Sequence, residues 1–385
     1  MKVLYDSLGF EEPWGGVTRY LAELIRHLPR GCEALPAVAE TPHDALHAPP
    51  FGIPRARQTV SDFLPGISFP GKRRLYLGLA RFLPRLLPSA ELANQRLLVR
   101  MLKERAPDLV HLTAPHRYGS AWRRIAGRVP LVVTVHDLIP ELVYGDRRTG
   151  AGRQEILSAA TAVIAVSEST RNDILRTYEI DARKIVVIHH GVNRRFFVEE
   201  RACWHSEDSA YLLYVGKRGG YKNWSAFVQY SASWVLEHPR RRIVCIGTPF
   251  DDAEARVIAT HGLAGRIEVR SVTDDELQKL YKTAFAFVSP STHEGFGLPV
   301  LEAMSAGCPV ILSDIPVFHE VAGDAALYFS DADDFRQALS HLNDPDRRGG
   351  LVERAIRRAE LFTWGKCALE TAEVYRRVVA GDFST

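Results

Sequence analysis

Short apolar runs alternate along the chain with longer stretches in which apolar residues fall three and four apart. In the first half the runs are Lys2–Tyr5, Asp108–His111, Leu131–Val135, Thr161–Val166 and Lys184–Ile188. In the second half they are Tyr211–Val215, Arg242–Gly247, Ile267–Arg270, Phe285–Ser289 and Pro309–Leu312. Most of them are continuously apolar rather than alternating, which is the pattern of a strand covered on both faces. Between the runs the spacing is helical: Val17, Leu21, Leu24, Ile25 and Leu28 share one face of a helix. A strand and a helix recur every ~20–30 residues, as a doubly wound parallel sheet requires. The predicted fold class is α/β.

One repeat carries more than a core. Phe285–Ser289 runs into the loop Glu294-Gly-Phe-Gly297, Pro299 suits a first helical turn, and Gly307 suits a helix end before Pro309–Leu312. This is a βαβ unit, and in such sheets ligands bind beyond the carboxyl ends of the strands. Two carboxylates bracket the turn, Glu294 in the loop and Glu302 inside the helix. The helix start between them, at Phe296, Gly297 and Leu298, offers unpaired N–H groups and the positive end of a dipole, which suits a diphosphate. Either glutamate alone would be an ordinary helix-face residue.

Other strand ends carry further candidates. Gly15-Gly16 follows the first strand, where glycine lets backbone approach a ligand or lets helix and strand pack tightly. A Gly-x-Gly-x-x-Gly fingerprint is missing, which disfavours a dinucleotide cofactor. His136 closes the Leu131 run, and Asp137 beside it either orients it or caps the next turn, the structural role being favoured. Gly216-Lys-Arg-Gly-Gly-Tyr-Lys-Asn223 follows Tyr211–Val215 and brings glycine backbone together with Lys217, Arg218 and Lys222. That is the chemistry of a phosphate cradle, though without the Gly-Lys-Ser/Thr of a P-loop.

Length and composition narrow the class. A chain of 385 residues favours two α/β domains, and 25% charged with 46% hydrophobic residues is an ordinary globular balance. The start reads as a short strand rather than a signal peptide, and the apolar runs are too short to span a membrane. Five scattered cysteines, Cys32, Cys203, Cys245, Cys308 and Cys367, without a Cys-x-x-Cys pair, point to reduced thiols in the cytosol. The adjacent His189 and His190 are expected on opposite sides of an extended chain, which argues against a shared metal.

Charge is uneven. Residues 1–200 hold 28 Lys/Arg against 21 Asp/Glu, and residues 55–105 hold 11 against 3. Residues 40–70 have no clear periodicity and read as an irregular excursion. Within 71–105, Gly71 to Leu87 mixes Lys and Arg with Leu, Tyr and Phe. Such a segment can lie on an anionic membrane surface, or it can pack its leucines on the sheet with its arginines in water.

Taken together, in this order and at this spacing, Glu294 and Glu302 resemble the E-x7-E signature of retaining, nucleotide-sugar-dependent glycosyltransferases of the GT-B fold (family 4, group 1). The resemblance is strong over 210–330, moderate over 1–30 and 105–195, and missing over 40–100. It implies two Rossmann-like doubly wound parallel-sheet domains facing a central cleft. Residues 1–195, completed by a closing helix at 364–385, would form the acceptor-side domain, and 196–363 the nucleotide-sugar domain. Gly15 and Gly16 would touch donor phosphate or acceptor. The segment Thr134-Val-His-Asp-Leu-Ile-Pro140 looks like the one whose histidine faces the transferred sugar, here His136. Gly216, Arg218 and Lys222 would hold the diphosphate, Val272 would meet the base through main chain, Glu294 would bind sugar hydroxyls, and Glu302 would bind the ribose.

The resemblance also implies a chemistry. The cationic side chains and the helix start would stabilise the leaving diphosphate, so no metal and no cofactor is expected. Retention is implied by the similarity, and no second carboxylate is placed as a covalent nucleophile. The similarity leans to bacterial mannosyltransferases of polysaccharide assembly, such as those that build lipopolysaccharide, with GDP-mannose as donor and UDP-hexoses behind it. The acceptor would be a saccharide or lipid-linked oligosaccharide, reached from the cytoplasm or as a peripheral protein on the inner membrane face through 71–105. Nucleic acid is not an expected partner. The rival readings are a UDP-sugar transferase with a soluble small-molecule acceptor, a phosphorylase or sugar-phosphate synthase, and a non-catalytic nucleotide-sugar-binding protein.

Overall fold

The computed structural model describes residues 1–7, 15–41, 46–47, 51–55, 72–82, 90–113, 129–197 and 210–383. The described chain divides into two compact units. The first comprises Met1–Val166, Thr170–Ile188 and Trp364–Thr385, and the second comprises Ser167–Ser169 and His189–Thr363.

The first unit runs β1 (Lys2–Tyr5), α1 (Gly16–His27), β2 (Glu33–Pro36), α2 (Lys72–Phe82), α3 (Ala90–Glu104), β3 (Leu109–Leu112), β4 (Leu131–Val135), α4 (Ile139–Leu142), α5 (Arg147–Ala159), β5 (Ala162–Ala165), α6 (Glu168–Thr177) and β6 (Ile185–Val187). Its described strands form one parallel sheet in the order β2-β1-β3-β4-β5-β6. The central strands β3, β4 and β5 are buried along their whole length, as their unbroken apolar runs require. The edge strand β2 is Glu-Ala-Leu-Pro, half exposed. It has no apolar run, and sequence reasoning did not find it; a proline is tolerated there because an edge strand need not donate on both sides.

The second unit runs β7 (Tyr211–Val215), α7 (Trp224–Leu236), β8 (Arg242–Ile246), α8 (Asp252–Thr260), β9 (Ile267–Arg270), α9 (Asp274–Thr283), β10 (Ala286–Ser289), α10 (Leu298–Ser305), β11 (Val310–Ser313), α11 (Pro316–Ala322), β12 (Leu327–Phe329), α12 (Ala332–His341) and α13 (Pro345–Ala359). Its parallel sheet has the order β12-β11-β10-β7-β8-β9. Leu212, Leu213, Phe285, Val288 and Ile311 form its centre with Phe227 and Phe335 from the flanking helices. The ten strands read from apolar runs all occur, with ends displaced by at most two residues.

The chain then returns to the first unit as α14 (Trp364–Ala380). Trp364, Cys367, Ala368, Thr371 and Tyr375 are its buried stripe, at the three-and-four spacing of an amphipathic helix. Tyr375 ends in a buried polar chain. Its hydroxyl lies 2.9 Å from the Tyr5 hydroxyl and 2.6 Å from His111 Nδ1, while His111 Nε2 lies 2.7 Å from Thr134 Oγ1.

The segment 71–105 is described only in part. Its described residues form α2 and α3, with Tyr76 fully buried and Leu75 45% exposed. No helix among the described residues is long and apolar enough to cross a membrane.

Candidate active site

In each sheet the order of strands reverses once, and the gap left there is where ligands bind in open α/β sheets. In the second unit the chain builds outward from β7 to β8 and β9, then returns to β10 and builds the other way. The reversal therefore lies between β7 and β10, which are hydrogen-bonded neighbours. The two loops singled out by sequence leave the carboxyl ends of these two strands.

The β7 loop turns through Gly216 (φ +130°) and a single helical turn at Gly220–Lys222, closed by Asn223 with φ +51°. Asparagine tolerates this left-handed conformation better than most residues. The β10 loop is tied to it by the Thr292 amide, which donates to the Tyr221 carbonyl at 2.8 Å. Across this join Lys222 Nζ donates to Glu294 Oε1 at 2.5 Å, with both side chains half-buried. Two residues picked independently from different motifs thus meet.

Glycine is required at the next bend. Gly297 has φ +95°, and a Cβ there would sit 3.1 Å from the Phe318 ring. It caps α10, with Pro299 in the first turn. The Phe296 side chain is buried and stacks on the His190 ring at 4.9 Å. The His189 ring also lies against Phe296, at 5.8 Å, and bonds Glu320 at 2.7 Å. The two histidines therefore pack against one aromatic ring instead of diverging as expected. Glu302 is 4% exposed and accepts from the Tyr281 hydroxyl at 3.3 Å. Val272 lies just past β9, half-buried, with β8 between its strand and β7.

Arg218 is the residue whose surroundings sequence did not foresee. Its side chain is 3% exposed. Nε and Nη2 grip Glu254 at 2.8 and 3.0 Å, and Nη2 also donates to the Thr248 and Pro249 carbonyls at 2.7 and 3.0 Å. The Phe250 ring lies 4.8 Å from the guanidinium carbon. Only Nη1 is left, buried and with no hydrogen-bond partner among the described residues. Gly247, at the end of β8, faces it: a Cβ there would sit 3.2 Å from Nη1 and 3.1 Å from the Gly216 carbonyl oxygen. Glu254 was legible only as a helix start, since Asp251 and Glu254 form the capping box of α8.

In the first unit the reversal lies between β1 and β3. Asp6 closes it, accepting from the Thr113 amide at 3.0 Å and the Thr113 hydroxyl at 2.7 Å. His136 leaves the next strand, bonds the Thr113 main chain, and stands edge-on to the Tyr20 ring at 5.0 Å. Burial, and then the Arg153 charge, lower its pKa to about 3, so the ring is neutral at physiological pH. It can exchange hydrogen bonds with a sugar but brings no charge. Arg153 holds this turn, donating to the Asp137 carbonyl at 2.6 Å and lying 3.2 Å from Glu141. Asp137 caps the turn by accepting from the Ile139 amide at 3.1 Å. Gly15 and Gly16 are exposed at the start of α1, and Gly15 has an extended backbone that any residue could adopt.

Residues 14–196 match glycosyltransferase family 4, and residues 199–358 match glycosyl transferases group 1. The chain is 30% identical over 319 residues to a D-inositol 3-phosphate glycosyltransferase of Kineococcus radiotolerans, covering 72% of this chain and 73% of that protein. The chain belongs to the group 1 glycosyltransferases.

Two bacterial relatives of this glycosyltransferase are O-antigen chain mannosyltransferases. Mannosyltransferase B of Escherichia coli is 27% identical over 98% of this chain and 100% of its own length. RfbU of Salmonella typhimurium is 36% identical over 173 residues, 45% of this chain and 47% of that protein. The match with RfbU thus spans about half of its length. Among solved structures, the sucrose-phosphate synthase of Thermosynechococcus elongatus superposes with a TM-score of 0.72 at 21% identity, covering 99% of this chain and 100% of that one. The fold is GT-B.

Proposed function

We propose that this glycosyltransferase moves a hexose, mannose from GDP-mannose, to a saccharide acceptor carried on a lipid, in the assembly of a cell-surface polysaccharide. The names of its two O-antigen relatives support the sugar and the setting. The observation that carries the reading is the meeting of Lys222 and Glu294 where the strand order reverses, with Arg218 on the same loop as Lys222 and Glu302 in the helix that follows.

In this reading the breaking bond leaves positive charge on the sugar and negative charge on the diphosphate. Lys222, Arg218 Nη1, the Gly216 backbone and the α10 start stabilise the leaving group in place before the reaction, which is the usual source of large electrostatic catalysis. No step is assigned to a metal ion. Glu294 accepts from sugar hydroxyls, Glu302 from the ribose, and the main chain at Phe296 to Leu298 and at Val272 meets phosphate and base. His136 and Gly15-Gly16 carry the roles the family resemblance gives them, toward the sugar and toward phosphate or acceptor. The configuration at the anomeric carbon is retained by front-face transfer, with donor phosphate assisting deprotonation of the acceptor. A trapped sugar–enzyme adduct would overturn that step. The protein works as a peripheral one at the inner membrane face, through 71–105.

The test is a panel of nucleotide sugars with release of nucleotide as the signal. GDP-mannose should be turned over fastest in the presence of a lipid-linked acceptor, and Glu294→Ala should abolish turnover in a folded protein. Binding without turnover of any donor would leave a binding protein instead. A second reading is a UDP-sugar transferase with a soluble acceptor, and the D-inositol 3-phosphate glycosyltransferase relative favours its acceptor; faster turnover of a UDP-hexose with inositol phosphate would select it.

A further inference from the structure

The cations proposed to hold the donor are already engaged. Arg218 is neutralised by Glu254, and Lys222 by Glu294. The two ion pairs differ in kind. Arg218 is locked by carbonyls as well as by its carboxylate, and Nη1 remains spare, so it can meet a ligand without letting go. Lys222, on a flexible stem, is held by one ion pair to Glu294 and by the face of the Tyr221 ring at 5.1 Å, with no carbonyl lock, and remains 21% exposed, with Glu294 at 14%. The main chains beneath them are already joined through Thr292 and Tyr221, so only side chains need to turn.

We infer that the Lys222–Glu294 pair is a resting contact that competes with the donor, and that a nucleotide sugar dissolves it by replacing both partners at once. Diphosphate takes Lys222, and sugar hydroxyls take Glu294. This rests on the proposed roles of these two residues. A nucleoside diphosphate without its sugar satisfies Lys222 but leaves Glu294 a half-buried carboxylate deprived of its cation, which is unfavourable. The pair therefore discriminates the intact donor from the spent nucleotide, and it re-forms as product leaves.

The consequence is opposite to the usual effect of removing a site residue. With Glu294 neutral, Lys222 is available and a sugar-free nucleotide binds better. If the free form of Lys222 is populated at about 10–30%, releasing it tightens binding about three- to tenfold. Titration calorimetry with GDP and with UDP on the full chain tests this in wild type, Glu294→Gln, Glu294→Ala, Lys222→Met and the double variant Glu294→Gln/Lys222→Met. Circular dichroism verifies that each is folded. The expected result is tighter nucleoside diphosphate binding by both Glu294 variants, with the gain lost in the double variant. Weaker binding by Lys222→Met together with unchanged or weaker binding by both Glu294 variants would overturn the competition while leaving the donor site standing. Wild-type affinity in Lys222→Met would remove Lys222 from the diphosphate, and the inference with it.

Discussion

Glu254 receives two near-parallel hydrogen bonds from Arg218, at 2.8 Å from Nε and 3.0 Å from Nη2. The carboxylate is itself fixed by the capping box that opens α8, where its Oε2 also accepts from the Asp251 amide at 3.0 Å. A helix start thereby sets the angle of an arginine on a neighbouring strand end. Glu254→Ala leaves a buried guanidinium without its counter-charge, which costs about 3 kcal/mol of stability. It should also raise the KM for the donor by freeing Nη1 from its aim. Urea unfolding measures the first effect and initial rates the second; an unchanged KM would confine Glu254 to a structural role.

Gly247→Ala tests the same arginine from the other side. The new methyl group would meet Nη1 at 3.2 Å and the Gly216 carbonyl at 3.1 Å, and neither the locked guanidinium nor the strand end can give way freely. Affinity for a nucleoside diphosphate should fall about tenfold, the effect of roughly 1.4 kcal/mol. Calorimetric titration reads it directly.

Two histidines of the first unit make stability depend on pH. Burial lowers the pKa of both His111 and His136 from 6.5 to about 3. Below pH 6.5 the unfolded chain takes up protons that the folded chain refuses until about pH 3. The contribution is therefore fully present above pH 6.5 and lost as pH falls toward 3, by about 1.4 kcal/mol per pH unit for each histidine. Unfolding midpoints measured at pH 7 and pH 5 should show this fall, and His111→Gln should make it shallower. Catalysis should show no His136 ionisation between pH 5 and 9, which a pH–rate profile with and without His136→Gln checks.

Tyr375→Phe probes the return of the chain to the first unit. The change deletes the hydroxyl shared by Tyr5 and His111 and leaves a buried ring nitrogen unsatisfied, which costs about 1–3 kcal/mol. The midpoint of urea unfolding should drop with an unchanged slope. A drop no greater than that of an exposed Tyr144→Phe control would show that α14 is held by its apolar stripe alone.

Much of this protein was legible along the chain because strands buried on both faces must be apolar throughout. That constraint marked ten strands, and the glycines, Glu294, His136, Arg218 and Lys222 could then be placed at strand ends, with Glu302 in the helix that follows, without coordinates. Edge strand β2 escaped because partial exposure relaxes the constraint, leaving Glu33 and Pro36 where an apolar run was sought. The family resemblance in turn named a reaction class that the matches to known glycosyltransferases bear out.

Partnership was decided only by the tertiary structure. Parallel strands adjacent in space are far apart in sequence, so β7 and β10 bring residue 222 to residue 294, and β7 and β8 bring residue 218 to residue 254. Sequence marks a cation and a carboxylate separately. It carries no trace of which pair will neutralise one another, because that depends on strand order and on side-chain directions at a few ångströms. Lys222 and Glu294 were read as two ligands of one substrate, and the fold makes them partners of each other.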